Sequence, residues 1–299
     1  MTTMDISATA TVVRRDRLPY DEYLRDYLAP HVPVVITGAL DSWAALGKWT
    51  PEFFLAHYPT EKIVVGGEET TLGEFLPKVI ASTPTNPCLY LKDHFIRNMP
   101  SAVRTDIDPF IPYVFPNWLR GKYLLRSVNY GLNGPANPEL FIGGFGTRLN
   151  ELHYDWGGCH VALCQLYGRK EFTIYAPDQT PFLYADGRIS RITNIYEPDL
   201  TRFPLLAQAK FVRFVQEPGE IVILPTGWWH TTRLLGPSIS VALNFANHTN
   251  WNEVIKEITM GMNKYNPFFV WGYRSFLRSQ RLLKILGGRN RGRASLYDA

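Results

Sequence analysis

Glu217-Pro218-Gly219-Glu220-Ile221-Val222-Ile223-Leu224-Pro225-Thr226-Gly227-Trp228-Trp229-His230 is the stretch on which the reading of the fold turns. Glu217–Glu220 makes a turn, and Ile221–Leu224 is a short apolar run bounded by turn residues, the mark of a buried strand. Pro225-Thr226-Gly227 turns the chain again, and two tryptophans and a histidine open the next strand. Comparable runs occur at Tyr123–Tyr130, Val161–Tyr167, Phe172–Tyr175 and Ile239–Phe245, separated by Gly, Pro, Asn and Asp clusters. Many short strands with turn signals predict a sandwich or barrel rather than a βαβ fold.

Upstream of this region the periodicity is helical. Tyr20, Tyr23, Leu24, Tyr27 and Leu28 predict a helix over 18–28, and Pro33–Gly38 reads as a short buried strand ending in a glycine turn. Thr50-Pro51-Glu52 opens another helix, with threonine as cap, proline in the first turn and glutamate favourable at that end. Thr71–Ile80 reads as a third helix. After Asn250 the pattern returns to helices and ends in a basic tail. The expected organisation is a barrel with its N-terminal helical flank over 1–249 and a helical, basic extension over 250–299.

Composition narrows the function classes. In 299 residues, 45% are apolar and 14% aromatic, enough for a filled core and against disorder. A net charge of +4 makes no global demand for nucleic acid or an acidic membrane. Cys88, Cys159 and Cys164 have no disulfide-scaffold spacing and suit a reducing compartment. Met1–Arg15 lacks the apolar core of a signal peptide, and no segment approaches the roughly 18 apolar residues of a membrane span. Cytoplasm is the expected location. In a eukaryote the nucleus is the alternative, because the basic tail can be read as an import signal.

The chemistry begins at Glu151-Leu152-His153-Tyr154-Asp155-Trp156. On a strand, residues two apart point to one face, so His153 and Asp155 stand side by side. Together with His230 they would form a two-histidine, one-carboxylate site that leaves three positions open on iron(II), enough for a bidentate keto acid and dioxygen. A His-x-Asp pair alone is a weak signal, since it often marks a surface pair, and a histidine after two tryptophans is otherwise a core residue satisfied by a carbonyl. The two elements gain weight together, since antiparallel strands of a jelly roll can join them. His160 is a competing ligand beyond a Gly-Gly bend. A zinc site of His153, Cys159, His160 and Cys164 matches no standard spacing and leaves Asp155 and His230 unexplained.

With these residues in place, the chain resembles the JmjC and cupin-like family of iron(II)- and 2-oxoglutarate-dependent oxygenases, especially the branch of the hypoxia-inducible-factor asparaginyl hydroxylase. The resemblance spans roughly Val32 to Phe245. It is carried by Pro33–Leu40 with Trp43 and Trp49, His153-Tyr154-Asp155, Gly168-Arg169-Lys170, Ala176-Pro177-Asp178-Gln179, the Pro-Gly-Glu turn and Trp-Trp-His, all in the family's order. It implies a mainly β protein, a double-stranded β-helix (jelly-roll or cupin barrel) with flanking N- and C-terminal helices. It also implies iron(II) on His153, Asp155 and His230, 2-oxoglutarate as cosubstrate, and O2. By the same resemblance Lys170 binds the far carboxylate of the keto acid, Tyr123 gives it a hydroxyl, and Asn244 and Asn150 line the pocket. Asn150 stands where relatives often have threonine, and Trp156-Gly157-Gly158-Cys159-His160 is longer than its counterpart. Either His160 or Cys159 takes over a pocket contact, or neither does.

Relatives of this kind mostly hydroxylate protein side chains, with succinate and carbon dioxide as coproducts, so a protein or peptide substrate is the expectation. N-methyl demethylation, tRNA-base hydroxylation and small-metabolite oxidation are the alternatives, and a catalytically silent cupin is the alternative from another class. The expected mouth loops are Pro87–Arg104, Leu132–Phe145 and Phe182–Tyr196, whose Tyr90, Lys92, Asp93 and Arg188 each read as ordinary solvated loop residues. Leu277, Leu282, Leu283, Ile285 and Leu286 among the arginines of 271–293 read as a packing helix, or as a homodimer contact. Membrane partners are not expected, and nucleic acid is the weaker option.

Overall fold

The computed structural model of the protein describes residues 11–120, 137–147, 151–260, 262 and 265–286, with residues 120 and 280–286 described by backbone alone. Its strands are β1 (Val13–Asp16), β2 (Val34–Thr37), β3 (Lys62–Val65), β4 (Glu68–Thr71), β5 (Tyr90–Phe95), β6 (Glu139–Gly143), β7 (His160–Tyr167) and β8 (Lys170–Tyr175). They continue with β9 (Ala185–Asp186), β10 (Ile189–Ser190), β11 (Val212–Gln216), β12 (Ile221–Leu224), β13 (Trp229–Leu234) and β14 (Ser238–Phe245). One sheet runs β1-β2-β12-β7-β14-β6-β5 and faces a second, β11-β8-β13. The hairpin β9–β10 joins the second sheet through His153, which bridges both Ile189 and His230. This is the expected jelly-roll barrel with helices around it.

The larger sheet is buried on both faces, which explains why β12 reads as an unbroken apolar run. Val35, Val161, Val222, Leu224 and Ala242 face the barrel interior with Phe172, Ile174 and Phe214 of the smaller sheet. Val34, Ile36, Ile221, Ile223, Val241 and Leu243 face outward and pack under Tyr23, Leu28, Trp49, Phe54 and Leu76 of the N-terminal region.

The helix expected over 18–28 is a short α-turn, Tyr20–Tyr23, continued as a π-helix, Leu24–Leu28. Pro51–His57 is capped by the Thr50 side chain, and Leu72–Ile80 by a capping box of Thr71 and Glu74. All three of the expected mouth loops contain strands, and the hairpin β9–β10 lies in the third. Tyr90–Phe95 and Glu139–Gly143 pair with each other at the edge of the large sheet, around an irregularity between Leu91 and His94. Lys92, Asp93 and Glu139 obscure the alternation of these strands, yet cross-strand pairing overrides weak local propensity.

Beyond residue 250, helix Trp251–Met260 lies against the bend at Gly157-Gly158. Gly158 has φ +67°, and a Cβ there would stand 2.6 Å from the Glu253 carbonyl carbon, so only glycine fits beneath this helix. The last helix, Pro267–Leu286, buries Tyr273 and Leu277, while Phe268 and Trp271 are 84% and 71% exposed. The side chains of Leu282, Leu283, Ile285 and Leu286, on which the dimer expectation rested, lie outside the described residues. No helix among the described residues is long and apolar enough to cross a membrane.

Candidate active site

His153 sits in an extended stretch rather than in a regular strand as the spacing predicted. Its backbone exchanges two hydrogen bonds with His230: His153 N–H donates to the His230 carbonyl at 3.1 Å, and His230 N–H to the His153 carbonyl at 2.7 Å. Residues paired this way stand directly opposite each other, so their side chains leave on one face. The two imidazole centroids are 4.4 Å apart. Asp155, still extended at φ −63° and ψ 143°, returns to the same face two residues on. Its Oδ2 lies 3.9 Å from His230 Nε2. One ligand atom from each of His153, Asp155 and His230 falls within 4.8 Å of the others, the one such group among the described residues.

Both histidines are turned by their own backbone. His153 Nδ1 lies 3.0 Å from the Glu151 carbonyl, and His230 Nδ1 lies 3.1 Å from the Trp228 carbonyl. A carbonyl can only accept, so each ring is protonated on Nδ1 and presents the Nε2 lone pair to the other ligands. Burial, and then His230, lower the His153 pKa to about 4, so its imidazole is neutral and competent as a ligand at neutral pH. Two imidazoles and a carboxylate brought together in this way suit iron(II).

Deeper in the barrel stands Lys170, the first residue of β8, delivered by the turn at Gly168. Gly168 has φ +66°, and a Cβ on it would overlap the Pro237 carbonyl, which fixes this hairpin exit. Lys170 is 2% exposed; its Nζ donates to Ser240 Oγ at 2.6 Å and lies 5.9 Å and 5.7 Å from the ring centroids of Tyr90 and Phe141. No carboxylate among the described residues pairs with it, and burial brings its pKa down to about 7. A buried amine with one neutral hydrogen-bond partner is suited to an incoming carboxylate. The donor set and this cation together fit an iron-chelating keto acid with a second acid group.

Two polar neighbours of Lys170 escaped the sequence reading. Tyr90, read as a solvated loop residue, has a buried hydroxyl that bonds Ser240, and burial raises its pKa. Tyr90 thus stands beside Lys170, while Tyr123 and Asn150, the residues expected in this pocket, lie outside the described residues. Ser240, Ala242 and Asn244 alternate along β14 with Ile239, Val241 and Leu243, a period-two signal of a small, polar inner face. Asn244 does lie on this face; its buried Oδ1 has no hydrogen-bond partner among the described residues, and its carbonyl accepts from Asn117 Nδ2 at 3.0 Å.

Glu139 is a further residue without precedent in the sequence reading. It faces inward from β6, on the same side as Phe141. Burial, then Asp93 and Asp155, raise its pKa to about 8, so it holds its proton at neutral pH.

His160 is not a competing ligand. Its Nδ1 accepts the Thr226 N–H at 3.0 Å and its Nε2 meets Thr249 Oγ1 at 2.9 Å, so neither nitrogen is free. Cys159 and Cys164 are buried thiols whose pKa values burial raises, and they join no metal-binding group with His153.

Comparison with known proteins agrees with this geometry. Residues 19–250 match the family model described as a cupin-like domain. The chain is 31% identical over 256 residues to Lysine-specific demethylase JMJ30 of Arabidopsis thaliana, covering 79% of this chain and 55% of that protein. It is 29% identical over 253 residues to Lysine-specific demethylase 8 of Xenopus tropicalis, covering 78% of this chain and 52% of the relative. Arginine-specific demethylase JMJ20 of Arabidopsis thaliana is 25% identical over 281 residues, or 85% of this chain and 57% of its own. The chain thus spans little more than half the length of these relatives.

Proposed function

The chain belongs to the cupin-like, JmjC-type family, whose members use iron(II), 2-oxoglutarate and O2, and on that premise we propose that it hydroxylates a side chain of a protein or peptide. The observation that carries this is the convergence of His153, Asp155 and His230 in the same barrel as the buried Lys170, with which no carboxylate among the described residues pairs. Bound iron(II), with the keto acid and dioxygen, supplies the oxidising power for C–H cleavage. The remaining tasks fall to the chain. His153 and His230 hold their Nε2 atoms on one face, Asp155 supplies negative charge, and Lys170 with Tyr90 anchors the far carboxylate. Phe172, Ile174, Val222 and Leu224 fill the barrel interior against water.

A second reading is favoured by the relatives' names: oxidation of an N-methyl group on lysine or arginine, which releases formaldehyde. One experiment separates the two. The protein is incubated with iron(II), 2-oxoglutarate, ascorbate and air, with peptides carrying free or methylated lysine and arginine. Succinate with a peptide gaining one oxygen supports hydroxylation; succinate with formaldehyde and loss of a methyl group supports demethylation. Parallel incubations with tRNA and metabolite extracts cover the other substrate classes. Absence of succinate under every condition makes the chain a silent cupin.

The same proposal places the catalytic unit in residues 1–249, with 250–299 as an extension that pairs two copies through its C-terminal helix, Pro267–Leu286. It also places the protein in the cytoplasm or nucleus.

A further inference from the structure

After the bend at Gly157-Gly158 the chain enters β7 at His160, whose two ring nitrogens bond Thr226 and Thr249. His160 is fully buried at the start of β7, with its ring 5.5 Å from that of His31 and 5.2 Å from that of Phe245. Its protonation follows from its partners. The Thr226 backbone N–H can only donate, so His160 Nδ1 accepts. The Thr249 hydroxyl spends its proton on Asn247 Oδ1 at 2.7 Å, an oxygen that also accepts the Thr249 N–H at 2.9 Å. Thr249 Oγ1 is left as an acceptor, so His160 must carry its hydrogen on Nε2.

Each partner leads to one arm of the metal-binding group. Thr226 belongs to the turn Pro225–Trp228, and the Trp228 carbonyl fixes the His230 ring. The same turn is pinned by the Trp228 indole, which donates to the His31 carbonyl at 2.9 Å. On the other side, Asn247 N–H donates to Asn250 Oδ1 at 2.9 Å, and Asn250 Nδ2 donates to the Gly158 carbonyl at 2.9 Å, on the bend that follows Asp155.

We propose that His160 is a positioning residue of the metal centre, a neutral imidazole protonated on Nε2 that sets the turn before His230 against the bend after Asp155. This rests on the metal-centre reading above. A second proton would put an N–H at Nδ1 facing the N–H of Thr226, a contact between two donors. Partners outside the ligands that orient metal-binding histidines commonly change metal affinity about 10–100-fold when lost.

The test uses cobalt(II) as a spectroscopic probe of the whole 299-residue chain. In His160→Asn the side-chain oxygen replaces Nδ1 as acceptor for Thr226. In His160→Gln the amide nitrogen replaces only the Nε2–H toward Thr249. Both variants lose one buried hydrogen bond, and similar melting temperatures without metal are expected. Each variant cuts one of the two links, so cobalt affinity about tenfold or more weaker than wild type, with shifted ligand-field bands, is expected for both. Wild-type affinity and bands in either variant overturn the proposal. If wild type binds no cobalt, the metal-centre reading fails and takes this one with it. Where the variants do not fold, nitrogen-15 spectra of histidine-labelled wild type decide instead. Nε2–H at neutral pH is expected for His160, and an Nδ1–H or doubly protonated ring overturns the proposal.

Discussion

Replacing Lys170 with methionine keeps the length of the side chain and removes its charge. The fall in pKa from the ordinary 10.5 to about 7 corresponds to roughly 5 kcal/mol of penalty on the charged amine in the ligand-free barrel. Relief of that penalty is the reason to expect a carboxylate there. Losing one charge-assisted hydrogen bond costs about 1.5–3 kcal/mol, or about 10–160-fold in 2-oxoglutarate affinity. The sign of the pH dependence follows from the same pKa. Below about 7 the amine is already charged and binding needs no proton; above it, binding must take one up. Affinity should therefore fall about tenfold per pH unit above neutrality, until the pKa of the complex is reached. Stability without ligand runs the other way. A lysine with a depressed pKa binds fewer protons folded than unfolded, so its destabilising contribution is largest below about 7 and fades toward pH 10.5. Calorimetry of 2-oxoglutarate binding to iron(II)-loaded protein under nitrogen, in buffers of different ionisation enthalpy, measures both affinity and proton uptake. The methionine variant should lose affinity, lose proton uptake and melt higher than wild type at pH 7. Equal affinity in the two proteins, or a wild-type affinity that is flat from pH 7 to 9, would refute the reasoning.

Three further perturbations test other parts of the structure. His230→Ala removes a ligand and should weaken metal binding by more than the roughly 10–100-fold typical of losing a supporting partner; metal content after gel filtration reads this, and retention of wild-type metal counts against the assignment. Glu139→Gln keeps the hydrogen that Glu139 holds at neutral pH. Because the raised pKa of about 8 lets the folded state bind more protons, wild-type stability should decline as pH rises from the ordinary carboxylate range through 8. Melting curves of the glutamine variant should show a flatter decline, and superimposable pH profiles would argue against a buried, protonated Glu139. Substituting glutamate for both Phe268 and Trp271 should yield monomers from a dimer while leaving metal content intact. Light scattering after size-exclusion chromatography checks this, and a wild-type chain that is monomeric at tens of micromolar ends the dimer proposal.

The sequence by itself determined what is written in short range. Ile221–Leu224 reads as a doubly buried strand because its four apolar residues lie between two turns, and it forms that strand with those bounds. Thr50 and Thr71 announce their helices because a cap is a contact between residues three apart. His153, Asp155 and His230 could be named from their spacing and turns together with the family resemblance, and Lys170 through that resemblance. Tertiary structure alone decided the company those residues keep. Tyr90 and Ser240 meet at Lys170 only because β5, β6 and β14 are neighbours in one sheet, and periodicity carries no record of which strands pair. The neutral form of Glu139 depends first on its burial and then on Asp93 and Asp155, surroundings that exist only once the barrel is closed. His160 remained open between ligand, pocket residue and neither. Its role follows from Thr226 and Thr249, residues 66 and 89 positions away, whose donor and acceptor demands exist only in the folded chain. The physical reason is common to all three. Local pattern reflects the backbone conformation and burial that a segment prefers, whereas protonation and hydrogen-bond roles are set by the atoms that burial places around a group after water has been excluded.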